Sequence, residues 1–390
     1  LTIVRRSYVE EVSFKDLIYG AIDGMLQSLD PHSGFMPPDI YREMKLDTRG
    51  QFGGLGVEIT LRDGLLTVVA PIEGTPAARA GLAPADRIIK IEGQLTEEME
   101  VMAAVRMMRG EPGTSITITV MRDTFEKPQD FTLVREIIKV RSVKARLLED
   151  GYGYVRLVQF QESSASDLKA ALERLHRENQ ADLKGLVLDL RNNPGGLLDQ
   201  AVEVVDLFLR EGQIVYTKGR ELESQMEFSA KALGTEPDYP LVIMINGGSA
   251  SASEIVAGAL QDHGRAVILG TQSFGKGSVQ TIIPLSDESG LRLTTARYYT
   301  PRGTSIQAKG ITPDIEVQPG EVKKATPGHS VRESDLPNHI DTEQTEEQGA
   351  DREATAPLVE ATPGNDYQLM RALDLLKGWQ VFQSMRQDAA

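Results

Sequence analysis

Two stretches of this chain pass from a short apolar strand through a glycine-bearing polar turn into a helix. That pairing constrains the fold more than any other feature. Residues 186–190 lead through Arg191-Asn-Asn-Pro-Gly-Gly196 into helical periodicity over 197–210. Residues 241–245 lead through Asn246-Gly-Gly-Ser-Ala-Ser251 into a helix over 252–263 that stops at Gly264. Strands alternating with helices of this length need crossover connections, so an α/β unit with a parallel sheet is expected over 138–320. Further strands are expected at 214–217 and 266–269. Leu168, Ala171, Leu172 and Leu175 mark another helix, for which Ser166 reads as the N-cap.

The flanking regions read differently. Residues 1–45 follow a helical period in Phe14, Leu17, Ile18, Ala21, Ile22, Met25 and Leu26, and Asp30-Pro-His-Ser-Gly34 stops it. Residues 46–137 hold short alternating stretches, a hairpin signal at Asp63-Gly64 and a helix over 99–109, which suggests a small, partly open barrel. Residues 321–363 are rich in acids with scattered Pro and Thr, the composition of a solvated, disordered linker. A last helical segment, 364–390, carries Leu369, Ala372, Leu373, Leu376 and Trp379 and is expected to dock back on the body.

Composition excludes several classes. Across 390 residues, 57 acids against 42 Lys and Arg give a net charge of −15. Nucleic acid is therefore not the expected partner, because phosphate neutralisation needs a basic face. The chain has no cysteine, so disulfides, thiolate metal sites and a cysteine nucleophile are excluded. The five histidines form no metal-binding spacing, and no metal or organic cofactor is expected. No apolar run approaches the roughly 20 residues of a membrane span. The first residue is Leu1 rather than Met, so a targeting segment is expected to have been removed.

The turn at 246–254 is where an α/β unit exposes functional groups. A serine in the first turn of a helix has unpaired backbone N–H groups beside it and a dipole favouring negative charge, which is what an acyl-transfer oxyanion needs. Read alone, Ser249, Ser251 and Ser253 are equally N-caps and turn residues. A serine nucleophile also needs a base. His263 sits at the far end of the same helix, about 18 Å from Ser251 at 1.5 Å per residue, and reads as a cation at a helix C-terminus. Lysine remains, with its pKa lowered by burial. Ser273-Phe-Gly-Lys-Gly-Ser-Val-Gln280 supplies Lys276, and on an extended segment Gln280 shares its face and could orient the amine. The same stretch begins like a phosphate-binding loop, but Gly277 stands where that motif needs Ser or Thr, and a strand follows. Ser166-Asp-Leu-Lys169 matches SxxK without partner motifs and reads as a helix start. The Pro194-Gly195-Gly196 turn lets backbone amides approach a ligand, or is simply a strand–helix turn.

Together, Leu190-Arg-Asn-Asn-Pro-Gly-Gly196, Gly248-Ser-Ala-Ser-Ala-Ser-Glu254 and Phe274-Gly-Lys-Gly-Ser-Val-Gln280 resemble the carboxyl-terminal processing, or tail-specific, proteases. The resemblance covers about residues 8 to 320. It implies an α/β core like the crotonase and ClpP spiral, an inserted PDZ domain and helical segments at both ends. It implies a serine-type endopeptidase with Ser251 as nucleophile, Lys276 as general base and Gln280 orienting it. The oxyanion hole would be the amides of Ala252 and Gly196, or else Gly195. Asp262 matches an acid of some relatives but reads as structural. Gly54-Leu55-Gly56-Val57 would be the carboxylate-binding loop of the PDZ domain, with Val101 and Val105 lining the pocket for the last side chain of a substrate tail. The resemblance further implies polypeptide substrates, a periplasmic or otherwise extracytoplasmic location, and admits a homo-oligomer or a regulatory partner protein. The rival reading is a non-catalytic PDZ adaptor, against which intact Ser251 and Lys276 argue.

Overall fold

The computed structural model describes residues 1–320 and 366–387, apart from 63, 98, 150, 223 and 224; the acidic stretch 321–363 lies outside the described residues. The centre is a six-stranded sheet in the order Val143–Glu149, Tyr152–Leu157, Gly185–Asp189, Leu241–Ile245, Val267–Gly270 and Ile315–Glu316. The first two strands pair antiparallel and every later neighbour is parallel. Every residue of Gly185–Asp189 and Leu241–Ile245 is buried, as a sheet covered on both faces requires. Helices Ser164–Asn179, Leu198–Asp206 and Ala252–Asp262 bring Leu168, Val204, Val256 and their neighbours onto one face. The C-terminal helix Tyr367–Gln387 covers the other with Leu369, Ala372, Leu373 and Leu376, packed on Val187, Val242 and Met244. A Cβ at Gly185 would stand 2.9 Å from Leu376, so the helix seats directly on the sheet backbone.

A second sheet is antiparallel. Strand Gly290–Tyr299 pairs with Gln213–Gly219, with Ser278–Pro284 and with Gly34–Met36 from the N-terminal region. That region is not one helical stretch: helices Thr2–Ser7, Phe14–Gln27 and Pro38–Thr48 surround the short strand. The helix expected to be capped by Ser166 begins at Ser164 after Ser163 instead, and the Ser166 hydroxyl bonds back to the Ser163 carbonyl at 2.8 Å. Three serines within four residues, Ser163, Ser164 and Ser166, left several positions able to start the helix.

Residues 57–134 form the third unit, a six-stranded antiparallel sheet around Leu66, Val68, Ile88, Ile91, Ile116 and Ile118, with helix Val101–Met108 packed on it. Its first hairpin joins Arg62 to Leu65. The chain enters and leaves this unit through a two-stranded ribbon, Gln51–Gly54 against Glu136–Lys139, so it is an insertion on a paired stem. Arg109, just past the helix, lies 3.4 Å from Glu43 and from Asp47 of Pro38–Thr48, bracing the insertion against the N-terminal region.

Candidate active site

The two turns recognised in the sequence follow neighbouring parallel strands and are fastened to each other. The Asn193 carbonyl accepts the Ala250 N–H at 3.0 Å and the Ser253 hydroxyl at 2.9 Å. The Ser249 hydroxyl donates to the Leu190 carbonyl at 2.8 Å. Asn246 Oδ1 accepts the Asn192 N–H at 2.9 Å, and its amide returns a bond to Asn192 Oδ1 at 3.0 Å. Ser249 and Ser253 are therefore ties between loops, and Ser251 alone of the three is left facing the site.

Ser251 occupies the N-cap of Ala252–Asp262 with φ 55° and ψ −113°, a conformation costing a non-glycine residue of the order of 1–3 kcal/mol. The surroundings over-determine it. Gly195 lies so close that a Cβ there would stand 2.8 Å from Ser251 Cβ and 3.0 Å from the Ala252 nitrogen. Gly195 (φ +98°) and Gly196 (φ +144°) both need the freedom of glycine. The Gly195 N–H is taken by Asn193 Oδ1 at 2.9 Å. Neither the Gly196 nor the Ala252 N–H has an acceptor among the described residues, so these two are the free donors at the turn.

The Ser251 hydroxyl hydrogen-bonds to the phenol of Tyr298, a buried side chain whose pKa is pushed up to about 12 by burial, with the Ser251 bond acting the other way. The Tyr298 N–H donates to the Gly277 carbonyl at 2.7 Å, which fixes the ring beside the lysine-bearing segment.

Lys276 precedes strand Ser278–Pro284 and sits between Gly275 and Gly277. Its side chain is half-buried. Burial, with the Arg292 guanidinium adding to it, lowers the pKa of its amine, and no hydrogen bond or ion pair of the amine exists among the described residues. Ser251 and Lys276 are thus brought to one site without being hydrogen-bonded. Gln280 turns its amide to the Ser278 hydroxyl at 2.9 Å and reaches Thr294 Oγ1 at 3.5 Å. His263 bonds the Gln213 carbonyl at 2.7 Å, away from the site, and Asp262 accepts the Arg302 N–H at 2.9 Å.

Sequence reasoning gave no role to Glu254, although Ser251-x-x-Glu254 has capping-box spacing. Glu254 is fully buried and its carboxyl oxygens accept four bonds: the Ser251 N–H at 2.8 Å, the Ser273 hydroxyl at 2.6 Å, the Gly275 N–H at 2.6 Å and the Lys276 N–H at 2.9 Å. It fastens the backbone of both candidate residues to one side chain. On the other flank, buried Asp189 accepts the Tyr154 hydroxyl at 2.8 Å and pairs with Arg191, which also grips Asp366 at 2.6 Å and Gln368 at 2.9 Å where the C-terminal helix starts.

In the inserted unit, Gly54, Leu55, Gly56, Val57, Val101 and Val105 all line one hollow of about 220 Å³, with Phe52, Ile59, Met108 and Arg109. The N–H groups of Leu55 and Gly56 have no acceptor among the described residues. Gly56 has φ +72°, held by the Ile72 N–H and the Thr75 hydroxyl on its carbonyl at 2.8 and 3.0 Å.

Comparison with known proteins follows the same divisions. Residues 151–317 match peptidase family S41, residues 67–122 a PDZ domain, and residues 1–39 the activating protease CtpB N-terminal domain. A carboxy-terminal-processing protease of Bartonella bacilliformis is 51% identical over 377 residues, covering 96% of this chain and 86% of the relative. A carboxyl-terminal-processing protease of Synechocystis is 38% identical over 324 residues, covering 81% and 75%. Among solved structures, the photosystem II D1 C-terminal processing protease aligns over 81% of this chain and 86% of its own, with 30% identity and a TM-score of 0.49.

Proposed function

Because the chain belongs to peptidase family S41, with a PDZ domain inserted in its peptidase body, we propose that it is a serine endopeptidase that captures substrate C-terminal tails and cleaves through a Ser251 acyl-enzyme. In this reading neutral Lys276 takes the Ser251 proton as Oγ attacks the scissile carbonyl. The tetrahedral oxyanion is met by the N–H groups of Ala252 and Gly196, donors that add stabilisation where charge develops. The intermediate collapses to the Ser251 ester, and the Lys276 ammonium returns its proton to the departing amine. A water, activated by Lys276 in its turn, hydrolyses the ester.

The observation that carries the reading is the Ser251 turn: a strained N-cap serine beside two free amides, tied through Glu254 to the backbone of a lysine whose pKa burial lowers. Attack requires Ser251 to exchange Tyr298 for Lys276, a side-chain movement of the kind that resting sites make on binding substrate. Tail capture is supported by the apolar hollow at Val101 and Val105 beside the free Leu55 and Gly56 amides, a fit for a terminal apolar side chain and its carboxylate. Among the described residues no helix is long and apolar enough to cross a membrane.

The test combines a fluorophosphonate serine probe with an unfolded substrate carrying a free or amidated C-terminus. Wild type should be labelled at Ser251 and should cut the free-tailed substrate faster. Absence of labelling together with binding of the free tail would leave the adaptor reading standing.

A further inference from the structure

The turn at residues 30–33 lies before the PDZ domain in sequence, yet among the described residues every hydrogen bond it makes outside itself goes to strand Gly290–Tyr299, which pairs with the strand after Lys276. Asp30 organises it. One carboxyl oxygen accepts the N–H groups of His32 at 2.7 Å and Ser33 at 2.9 Å and the Thr294 hydroxyl at 3.2 Å; the other accepts the Ser33 hydroxyl at 2.7 Å. Ser33 is buried, and its oxygen also takes the Thr294 N–H at 3.1 Å. The His32 carbonyl accepts Arg292 Nε at 2.7 Å. Thr294 pairs across the sheet with Gln280, whose amide reaches its hydroxyl.

We propose that this turn is part of the active centre: it holds Gln280 in place through Thr294 and sets the Arg292 guanidinium toward the Lys276 amine. The proposal rests on the Ser-Lys reading. Strand Gly34–Met36 already pairs with residues 290–292, so docking of the N-terminal region does not need a buried serine and a four-bond aspartate aimed at Thr294. The groups around the amine fit the role. Arg292 comes from strand Gly290–Tyr299 and His32 from the turn, while Asp30 behind them spends its oxygens within the network. Glu254 meets Lys276 at its backbone N–H. Burial and the Arg292 guanidinium, with no carboxylate paired to the amine among the described residues, favour the uncharged amine, the form that can accept the Ser251 proton. Asp30, Thr294 and Arg292 are positioning residues that act through Gln280 and Lys276.

The experiment measures kcat and KM against pH on one peptide substrate for Thr294→Val, Thr294→Ser, Arg292→Gln and Arg292→Lys, with Ser251→Ala and Lys276→Ala alongside. Thr294→Val keeps side-chain volume and should lower kcat roughly ten-fold at unchanged KM, with Thr294→Ser restoring it. Arg292→Gln should move the acid limb of kcat/KM to higher pH, most at low salt because the guanidinium is exposed, and Arg292→Lys should not. Wild-type kcat in Thr294→Val together with an unmoved limb in Arg292→Gln overturns the proposal, as does a change confined to KM. If Ser251→Ala or Lys276→Ala stays active, the dyad itself is wrong; if both are inactive while the other variants match wild type, only this inference fails.

Discussion

Glu254 accepts the main-chain N–H of Lys276 at 2.9 Å on the same oxygen that takes the Ser251 N–H at 2.8 Å. One buried carboxyl group therefore holds the backbones of both candidate residues, beside the main-chain bond from the Phe274 N–H to the Ser249 carbonyl at 3.0 Å that also joins the two loops. Replacing it by the isosteric amide would turn an NH2 toward two of its four donors. Glu254→Gln should lower the melting temperature, consistent with about 1–3 kcal/mol per unsatisfied buried group, and reduce turnover by roughly a hundred-fold. Thermal denaturation and steady-state kinetics on the same preparation check both; unchanged kcat would mean the loops hold their places without it.

The lowered pKa of Lys276 has a consequence for stability as well as for rate. Its ordinary value is 10.5, so between the folded value and 10.5 the unfolded chain gains the proton first and stability falls as pH falls. Below the folded value the cost is complete. Lys276→Met should therefore be inactive yet melt higher than wild type at pH 7, and the difference should shrink as the pH approaches 10.5. Lys276→Arg should be inactive too, because a guanidinium stays protonated. Melting curves at several pH values decide the first point, and substrate turnover the second.

Gly195→Ala adds a methyl group at a φ of +98° and places it 2.7 Å from the Ala250 carbonyl oxygen and 2.8 Å from Ser251 Cβ. Turnover should fall by about a hundred-fold or more while the PDZ hollow still binds tail peptide. Probe labelling of Ser251 reads the first effect and fluorescence anisotropy of a labelled tail peptide the second. Normal labelling would show that the turn tolerates the displacement.

Tail capture is open to a variant that leaves the peptidase body untouched. Val105→Glu puts an acid into the hollow where a carboxylate is expected to end, so free-tailed peptide should bind at least ten-fold more weakly. Amidated peptide should bind weakly to both forms. A Gly56→Val chain, whose Cβ would stand 2.4 Å from Thr75, should lose binding together with some stability, which is why the Val105 variant is the cleaner measurement.

Much of the peptidase body could be read before any coordinates because its signals are local. Leu241–Ile245 is an unbroken apolar run, and the helix after it starts at Ala252 as the turn residues require. The loop at residues 54–57, expected to bind a carboxylate, and Val101 and Val105, expected to line a pocket, border one hollow, since a glycine loop and one helix face are enough to bring them together. What stayed hidden depends on partners far along the chain. The turn at 30–33 read only as a helix stop; its bond to Thr294 spans 261 residues, and nothing in Asp-Pro-His-Ser points to that partner. Glu254 carried its signal in the capping-box spacing, but the serine drew the attention and the acid's other donors come from 273–276. Tyr298 stands in an alternating strand that gives either face equal claim to the site.

The C-terminal helix closes the far side of the central sheet, and its first residues clasp Arg191 one step before the Asn-Asn-Pro-Gly-Gly turn. The sheet strand it lies on was laid down some way earlier in the chain, so for a while during synthesis that face has no cover and the arginine has only Asp189 to hold. The brace on that turn is made after the strands and turns it steadies, so the order of synthesis itself sets when the turn is held.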